Sequence, residues 1–581
     1  MLTYSFRDIG TDSLYEYLYK CIRKDILDGK IAAGTRLPSK RSFAKNLGIS
    51  VITVENAYAQ LVAEGYIYSV PKSGYYVEQI RKNLLMPESS AGEKCRMAGS
   101  ESNQPRRMCG AESGRSGWIS GNETERNGQV YGSKKENGQI ASTYRIDLVS
   151  GRTDPKKFPF TIWARLLREV LSGEREALMN NAPGGGILEL RRAIAGYLLQ
   201  YQGMQVSEEQ IIIGAGTEYL YGLLIQLLGQ DKTYALEDPG YTKVAKIYQS
   251  HLVKTAFIPM DEQGVRIDRL RESGADVMHI SPSHHYPTGI TTPIGRRYEL
   301  LAWANEKEGR YILEDDYDCE FRLAGRPIPS LQSIDQLGRV IYMNTFTKSL
   351  TSTIRISYMV LPWDLLEHFQ NKLGFYACTV SNFEQYTLAR FISGGYFEKH
   401  INRMRNYYRG KRDELIKQLQ TSPLGEKIAI LGADAGLHFL MEVDTALSDG
   451  ELVELAGKEG IRLSCLFGYY HTSRKGRGFR REEGLMDEEL VPQEEEGLMN
   501  EELVPQGKES LRKEELVLQG EKGLRNEELV PQEEECLRKE EMVSQREGAV
   551  RGGRHFVVVN YSGLDSSQME LLPDMLYRAW F

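Results

Sequence analysis

Residues 345–355 read Thr345-Phe346-Thr347-Lys348-Ser349-Leu350-Thr351-Ser352-Thr353-Ile354-Arg355. They follow the β-prone run Arg339-Val340-Ile341-Tyr342-Met343 and, a few dozen residues earlier, the acidic cluster Leu313-Glu314-Asp315-Asp316-Tyr317-Asp318. One lysine beyond a strand, one carboxylate on a neighbouring strand, and threonine hydroxyls with an arginine are the parts of a pyridoxal-phosphate (PLP) pocket. The cofactor's aldehyde needs an amine, its ring nitrogen a carboxylate, and its phosphate a ring of hydroxyls, backbone N–H groups and a guanidinium.

Working outward, apolar strands alternate with amphipathic helices from Ile146 onward, the pattern of a mostly parallel sheet covered on both faces. Residues 211–228, IIIGAGTEYLYGLLIQLL, read as a buried strand, a tight glycine turn and a helix. The N–H groups of Ala215, Gly216 and Thr217 at that helix start, with the Thr217 hydroxyl, make a ready phosphate site. Glu237-Asp238-Pro239-Gly240-Tyr241 puts an aromatic ring at a strand's C-terminal edge, where ligands collect in such sheets. Asp315 and Tyr317 lie two apart, on one side of an extended segment, so a carboxylate can meet the ring nitrogen while a phenol meets O3′. The loop Ser281-Pro282-Ser283-His284-His285-Tyr286-Pro287-Thr288-Gly289 carries two adjacent histidines. Neighbours point apart and no third ligand stands nearby in sequence, so no metal is expected.

Together these segments resemble fold-type I aminotransferases. The resemblance implies that Lys348 forms the Schiff base with PLP, Asp315 holds the ring nitrogen, Tyr317 hydrogen-bonds O3′ and Tyr241 lines or stacks on the ring. Thr217, Thr345, Thr347 and Arg355 would join the Ala215 and Gly216 amides around the phosphate. Two positions depart from the family pattern. His285 stands where glutamine is usual, and Val558, in His555-Phe556-Val557-Val558-Val559-Asn560-Tyr561, aligns with the arginine that grips a substrate α-carboxylate. Arg554 lies four residues earlier, roughly 13 Å along a strand.

At the other end of the chain, Leu14, Leu18, Cys21, Ile22 and Ile26 repeat at helical spacing and stop at Gly29. Ser39 is placed to cap a short helix ending near Gly48, and Ser50 to cap a third helix burying Val54, Ala57, Tyr58, Leu61 and Val62. This is a helix-turn-helix, followed by a hairpin wing whose basic tip is Pro71-Lys72-Ser73-Gly74. The runs GTRLPSKR (34–41), TVENAYAQLVAEGYI (53–67) and SGYYV (73–77) resemble the GntR family of winged-helix regulators. The resemblance implies double-stranded operator DNA as partner. Arg36, Ser39, Arg41 and Lys72 would approach phosphates, and Ser50, Ile52 and Thr53 would face the major groove. Val51 stands where the family often has arginine.

Head and body in one chain resemble the MocR-type subgroup of GntR regulators. That implies a head-to-tail homodimer and a body that senses PLP or a small amine or amino acid, with vitamin B6 supply as one regulated process. The alternative is an active aminotransferase carrying a vestigial head. The expected boundaries are 1–83 for the winged helix, 84–143 for a linker rich in Gly, Ser, Glu, Asn and Arg, and 144–581 for the body. Inside the body, residues 474–551 contain five copies of a thirteen-residue unit such as GLMNEELVPQ with its charged spacer. Charges outnumber apolar residues there and Pro492, Pro505 and Pro531 interrupt any helix, so a solvated insertion is expected.

With 581 residues the chain exceeds one ordinary core, and its net charge of −7 confines any nucleic-acid site to a local patch. Seven scattered cysteines without ligand spacing fit reduced thiols. No stretch reaches the roughly 18 apolar residues a bilayer requires, so a cytoplasmic location without membrane contact is expected.

Overall fold

The computed structural model describes residues 2–6, 9, 13–70, 73–79, 144–323, 329–472 and 553–581. The expected linker, the repeat insertion and Lys72 lie outside them.

The head follows from its caps. Helix α1 spans Leu14–Leu27, α2 Lys40–Leu47 and α3 Val51–Ala63. Ser39 Oγ accepts from Ser42 N at 3.2 Å, Gly48 closes α2 at φ +68°, and Ser50 Oγ accepts from Thr53 N at 3.0 Å. Each serine satisfies an N–H that a helix start leaves open. Strands β1 (Ile67–Val70) and β2 (Gly74–Val77) pair antiparallel as the wing.

In the body, β3 (Ile211–Gly214), β4 (Thr233–Asp238), β5 (Lys254–Asp261), β6 (Gly264–Val265), β7 (Val277–Ile280), β8 (Tyr311–Asp315), β9 (Val340–Thr345) and β10 (Ser357–Val360) form one sheet. Its order is β3-β10-β9-β8-β7-β4-β5-β6. Pairs β9/β8, β8/β7, β7/β4 and β4/β5 are parallel, whereas β10 runs antiparallel to both neighbours. Strands β3, β7, β9 and β10 are buried along their whole length, as expected when helices cover both faces. The parallel order brings the C-terminal ends of β4, β8 and β9 to one edge, where Tyr241, Asp315 and Lys348 emerge. A four-stranded sheet, which includes His438–Thr445, Ser464–Cys465 and Gly553–Asn560, completes the body.

Lys348 is not on an open loop. It sits in a single helical turn, Phe346–Ser349, because Thr345 Oγ1 caps the Thr347 N–H at 3.2 Å.

Candidate functional site

A cavity of about 310 Å³ opens at that sheet edge, a volume suited to a small cofactor. It is lined by Thr217, Tyr241, Asp315, Tyr317, Lys348 and Arg355, with Thr345 and Thr347 beside them. Of the expected cofactor residues, only Ala215 and Gly216 do not line it.

At the floor, Asp315 is buried and its two oxygens differ. Oδ2 accepts from Tyr221 OH at 2.5 Å and lies 3.6 Å from His279 Nε2, whereas Oδ1 is buried without a partner. A carboxylate oxygen buried without a donor is costly, and the Asp315 side chain lines the cavity. Tyr221 and His279 were missed in the sequence. Tyr221 is four residues beyond Thr217 on helix α4 (Thr217–Leu228), and His279 lies on β7, two strands' width from the lysine.

Lys348 Nζ donates to the Gly151 carbonyl at 2.8 Å, and a Cβ at Gly151 would stand 2.6 Å from that nitrogen. Burial holds the amine below the ordinary lysine value, with Asp318 pulling the other way. More of it is therefore the neutral, nucleophilic form. Tyr317 is kept protonated by burial and then by Asp318, and its hydroxyl lies 3.3 Å from His284 Nδ1.

Ser357 Oγ donates to Thr345 Oγ1 and Thr345 Oγ1 to Thr347 Oγ1, at 2.8 Å each, and the two threonines line the cavity. Arg355 has φ +49°, an uncommon backbone state for a residue with a side chain, and its guanidinium packs on Gly216. A Cβ at Gly216, where φ is +93°, would lie 2.5 Å from Arg355 Nη2. Arg355 also donates to Glu218 Oε2 at 3.0 Å, and Glu218 pairs with Lys243. Neither expected amide is free: the Gly216 N–H donates to the Gly214 carbonyl at 2.9 Å and the Ala215 N–H to Thr379 Oγ1 at 3.0 Å. The Ala215 amide is committed to the neighbouring loop and does not face the cavity with Thr217.

Tyr241 is half exposed and meets Tyr286 edge-on at 5.4 Å. Val558 pairs with Ser464 across its strand and is buried among Leu440, Leu466 and Tyr469, so the aligned arginine position is part of an apolar core. Arg554 lies on the same strand, Gly553–Asn560.

The two histidines do point apart. His285 Nδ1 bonds Thr288 Oγ1 at 2.7 Å, and burial, followed by the nearby His284, pushes it down to about 3. His284 Nδ1 meets Asp318 Oδ2 at 2.9 Å, and its ring lies 4.4 Å from that of His438. The sequence reading missed that third side chain, which arrives from a distant strand. Ligand atoms of the three lie within 4.8 Å of one another. The 2.9 Å contact is a hydrogen bond, closer than the roughly 3.3 Å between ligands on one tetrahedral zinc with bonds near 2.0 Å.

In the head, Arg36 donates to the Ser73 carbonyl and braces the wing, Ser39 and Ser50 are committed to caps, and Ile52 is 67% exposed. Arg41 lies exposed in the first turn of α2, and Thr53 Oγ1 meets Ser50 Oγ at 2.8 Å. Lys40 pairs with Glu55 at 2.7 Å, tying α2 to α3.

Residues 14–77 match the model of bacterial regulatory proteins of the gntR family. Over 78% of this chain and 88% of the relative, the sequence is 36% identical to the uncharacterized HTH-type transcriptional regulator YdeL of Bacillus subtilis. It is 31% identical, over 80% and 89%, to the probable rhizopine catabolism regulatory protein MocR of Rhizobium meliloti. The body superimposes on a kynurenine aminotransferase of Pyrococcus horikoshii crystallised with PMP, with a TM-score of 0.51 and 26% identity over 57% of this chain and 83% of that one.

Proposed function

The chain belongs to the MocR-type subgroup of GntR-family transcriptional regulators, and from that premise we propose that its body holds PLP and that cofactor occupancy sets how its head binds operator DNA. The observation that carries the reading is the one cavity that gathers Asp315, whose Oδ1 is buried without a partner, with Lys348, Tyr317, Thr345, Thr347 and Arg355. An acidic floor oxygen, a partly neutral amine and a hydroxyl-guanidinium end match a ring nitrogen, an aldehyde and a phosphate. PLP, when bound, supplies an aldehyde that condenses with primary amines. The chain's own groups then have separate tasks. Asp315 holds a proton on the ring nitrogen, Tyr317 donates to O3′, Tyr241 covers the ring face, and Thr217, Thr345, Thr347 and Arg355 hold the phosphate.

Val558 weighs against the enzyme alternative, since a buried valine gives an α-carboxylate no bidentate partner. The effector is PLP itself or a small amine that reacts with it, and the working form is a homodimer. No helix among the described residues is long and apolar enough to cross a membrane. The test is the affinity of the full-length protein for DNA upstream of its own reading frame, at fixed salt, with and without PLP. A difference of tenfold or more supports the reading. Equal affinities would remove PLP as the effector.

A further inference from the structure

We propose that the turn Glu64–Gly65 and the segment Pro293–Ile294 form a latch through which occupancy of the cavity reaches the recognition helix, a proposal that rests on the cavity being the PLP site. Glu64 and Gly65 directly follow α3, the helix that presents Ile52 and Thr53. Pro293 and Ile294 begin helix α5 (Ile294–Asn305).

Three observations join them. The Ile294 N–H donates to the Glu64 carbonyl at 3.1 Å, so the end of the recognition helix satisfies an N–H at the start of α5. Gly65 has φ +74°, and a Cβ there would lie 2.7 Å from Pro293 Cβ and 3.4 Å from Ile294 N, so only glycine fits both the backbone and the contact. Leu18, Ile22 and Tyr66 of the head share one buried cluster with Ile294, Tyr298 and Leu301 of the body. The turn itself is stiff. The Glu64 carboxylate is buried and accepts from Tyr19 OH at 2.6 Å and from Gln60, while Tyr66 OH accepts from Arg23 Nε at 2.9 Å.

On the body side the latch runs straight to the cavity wall. Arg297, fully buried in the first turn of α5, donates to the carbonyls of Thr292 (2.9 Å), Pro282 (2.9 Å) and Pro329 (2.6 Å). Thr292 N donates to Pro282 O at 2.9 Å. These bonds close the base of loop 282–292, whose Tyr286 lines the cavity beside Tyr317. Ser281, at the loop's entrance, also lines it and donates its N–H to Glu237 Oε2 at 3.1 Å. A shift of the Tyr286 wall therefore acts on a loop whose two ends are pinned to α5, and α5 is pinned to the end of α3. Buried guanidinium bonds of this kind resist stretching, so displacement at the wall moves the helix start and is not dissipated within the loop.

The test is hydrogen exchange of full-length protein read by mass spectrometry, with PLP as the probe and its absorbance recorded on the same sample. In the natural sequence, PLP is expected to change exchange at least tenfold in peptides covering 286–298 and 60–68 together. Gly65→Ala should keep the PLP absorbance and the change at 286–298 while losing the change at 60–68. If Gly65→Ala does not fold, Pro293→Gly, which removes the Cβ that faces Gly65, should weaken the same coupling. PLP absorbance with a change confined to 286–298 in the natural sequence would overturn the latch alone. Coupling that survives the folded variants would overturn it too. Absence of PLP absorbance would sink the cofactor reading, and the latch with it.

Discussion

The Tyr221 hydroxyl stands 2.5 Å from Asp315 Oδ2 and leaves Oδ1 of the same carboxylate buried without a partner. The bond orients the carboxylate, whose side chain lines the cavity. Asp315→Ala should weaken PLP binding at least tenfold, since a hydrogen bond to a charged group contributes about 1.5–3 kcal/mol. Tyr221→Phe should cost less, because it removes an orienting bond and keeps the charge. Equilibrium titration of PLP absorbance checks the order, and equal losses would contradict it.

Gly216 is held against the Arg355 guanidinium, so Gly216→Ala forces that side chain aside and strains a backbone at φ +93°. The damage should fall on the phosphate end. Affinity for PLP is expected to drop tenfold or more, while affinity for pyridoxal, which lacks the phosphate, stays within about twofold, roughly 0.4 kcal/mol. Parallel losses for both would place the phosphate elsewhere.

Glu237 is pushed up to about 8 by burial, opposed by the Ser281 N–H and reinforced by the Asp315 charge, and Glu320 is likewise pushed up to about 8 by burial. A carboxyl raised on folding binds its proton more tightly in the folded state than in the unfolded chain, where the value is about 4.3. Its contribution is full below that value and is lost as pH rises toward the folded one, at most about 1.4 kcal/mol per pH unit. The contribution of these two carboxyls to the stability of the PLP-free protein should therefore fall between about pH 5 and pH 8. Glu237→Gln should flatten that decline, as read by urea unfolding across pH. An unchanged slope would show that Glu237 ionises freely in the folded state.

How much of this was legible in the sequence depended on whether a signal was local. The strand Val277–Ile280, the caps Ser39 and Ser50, and the strand-turn-helix around Gly214–Thr217 follow from short patterns of burial and hydrogen bonding, and all are present. Lys348, Asp315, Tyr317 and Arg355 were readable through the family resemblance, and the fold gathers the four around one cavity. Tyr221, His279 and His438 were not. Each is a residue type that is ordinary on a helix or strand; Tyr221 and His279 line the cavity, whereas His438 meets His284. The Ala215 amide was misread because its acceptor, Thr379, is more than 160 residues away in sequence. The contact of Gly65 with Pro293 joins residues more than 200 apart in sequence, which no local pattern can encode.

In the head, Arg41 is exposed at the start of α2 and is expected to meet a phosphate. Arg41→Ala should weaken DNA binding evenly across sequences and reduce the slope of log affinity against log salt by about one. Ile52→Ala should instead change the preference among sequences, because Ile52 stands exposed on the face of α3 expected to enter the groove. Competition binding with a randomised duplex pool separates the two effects. A sequence-selective loss for Arg41→Ala would reverse the assignment.

The claim that the body is a PLP site built on Lys348 is tested most directly by borohydride reduction of the PLP-loaded, full-length protein, followed by protease digestion and peptide mass mapping. A pyridoxyl-phosphate mass increment is expected on the peptide containing Lys348 alone, and is expected to be absent from Lys348→Ala. An increment on any other lysine, or none at all, would contradict the claim.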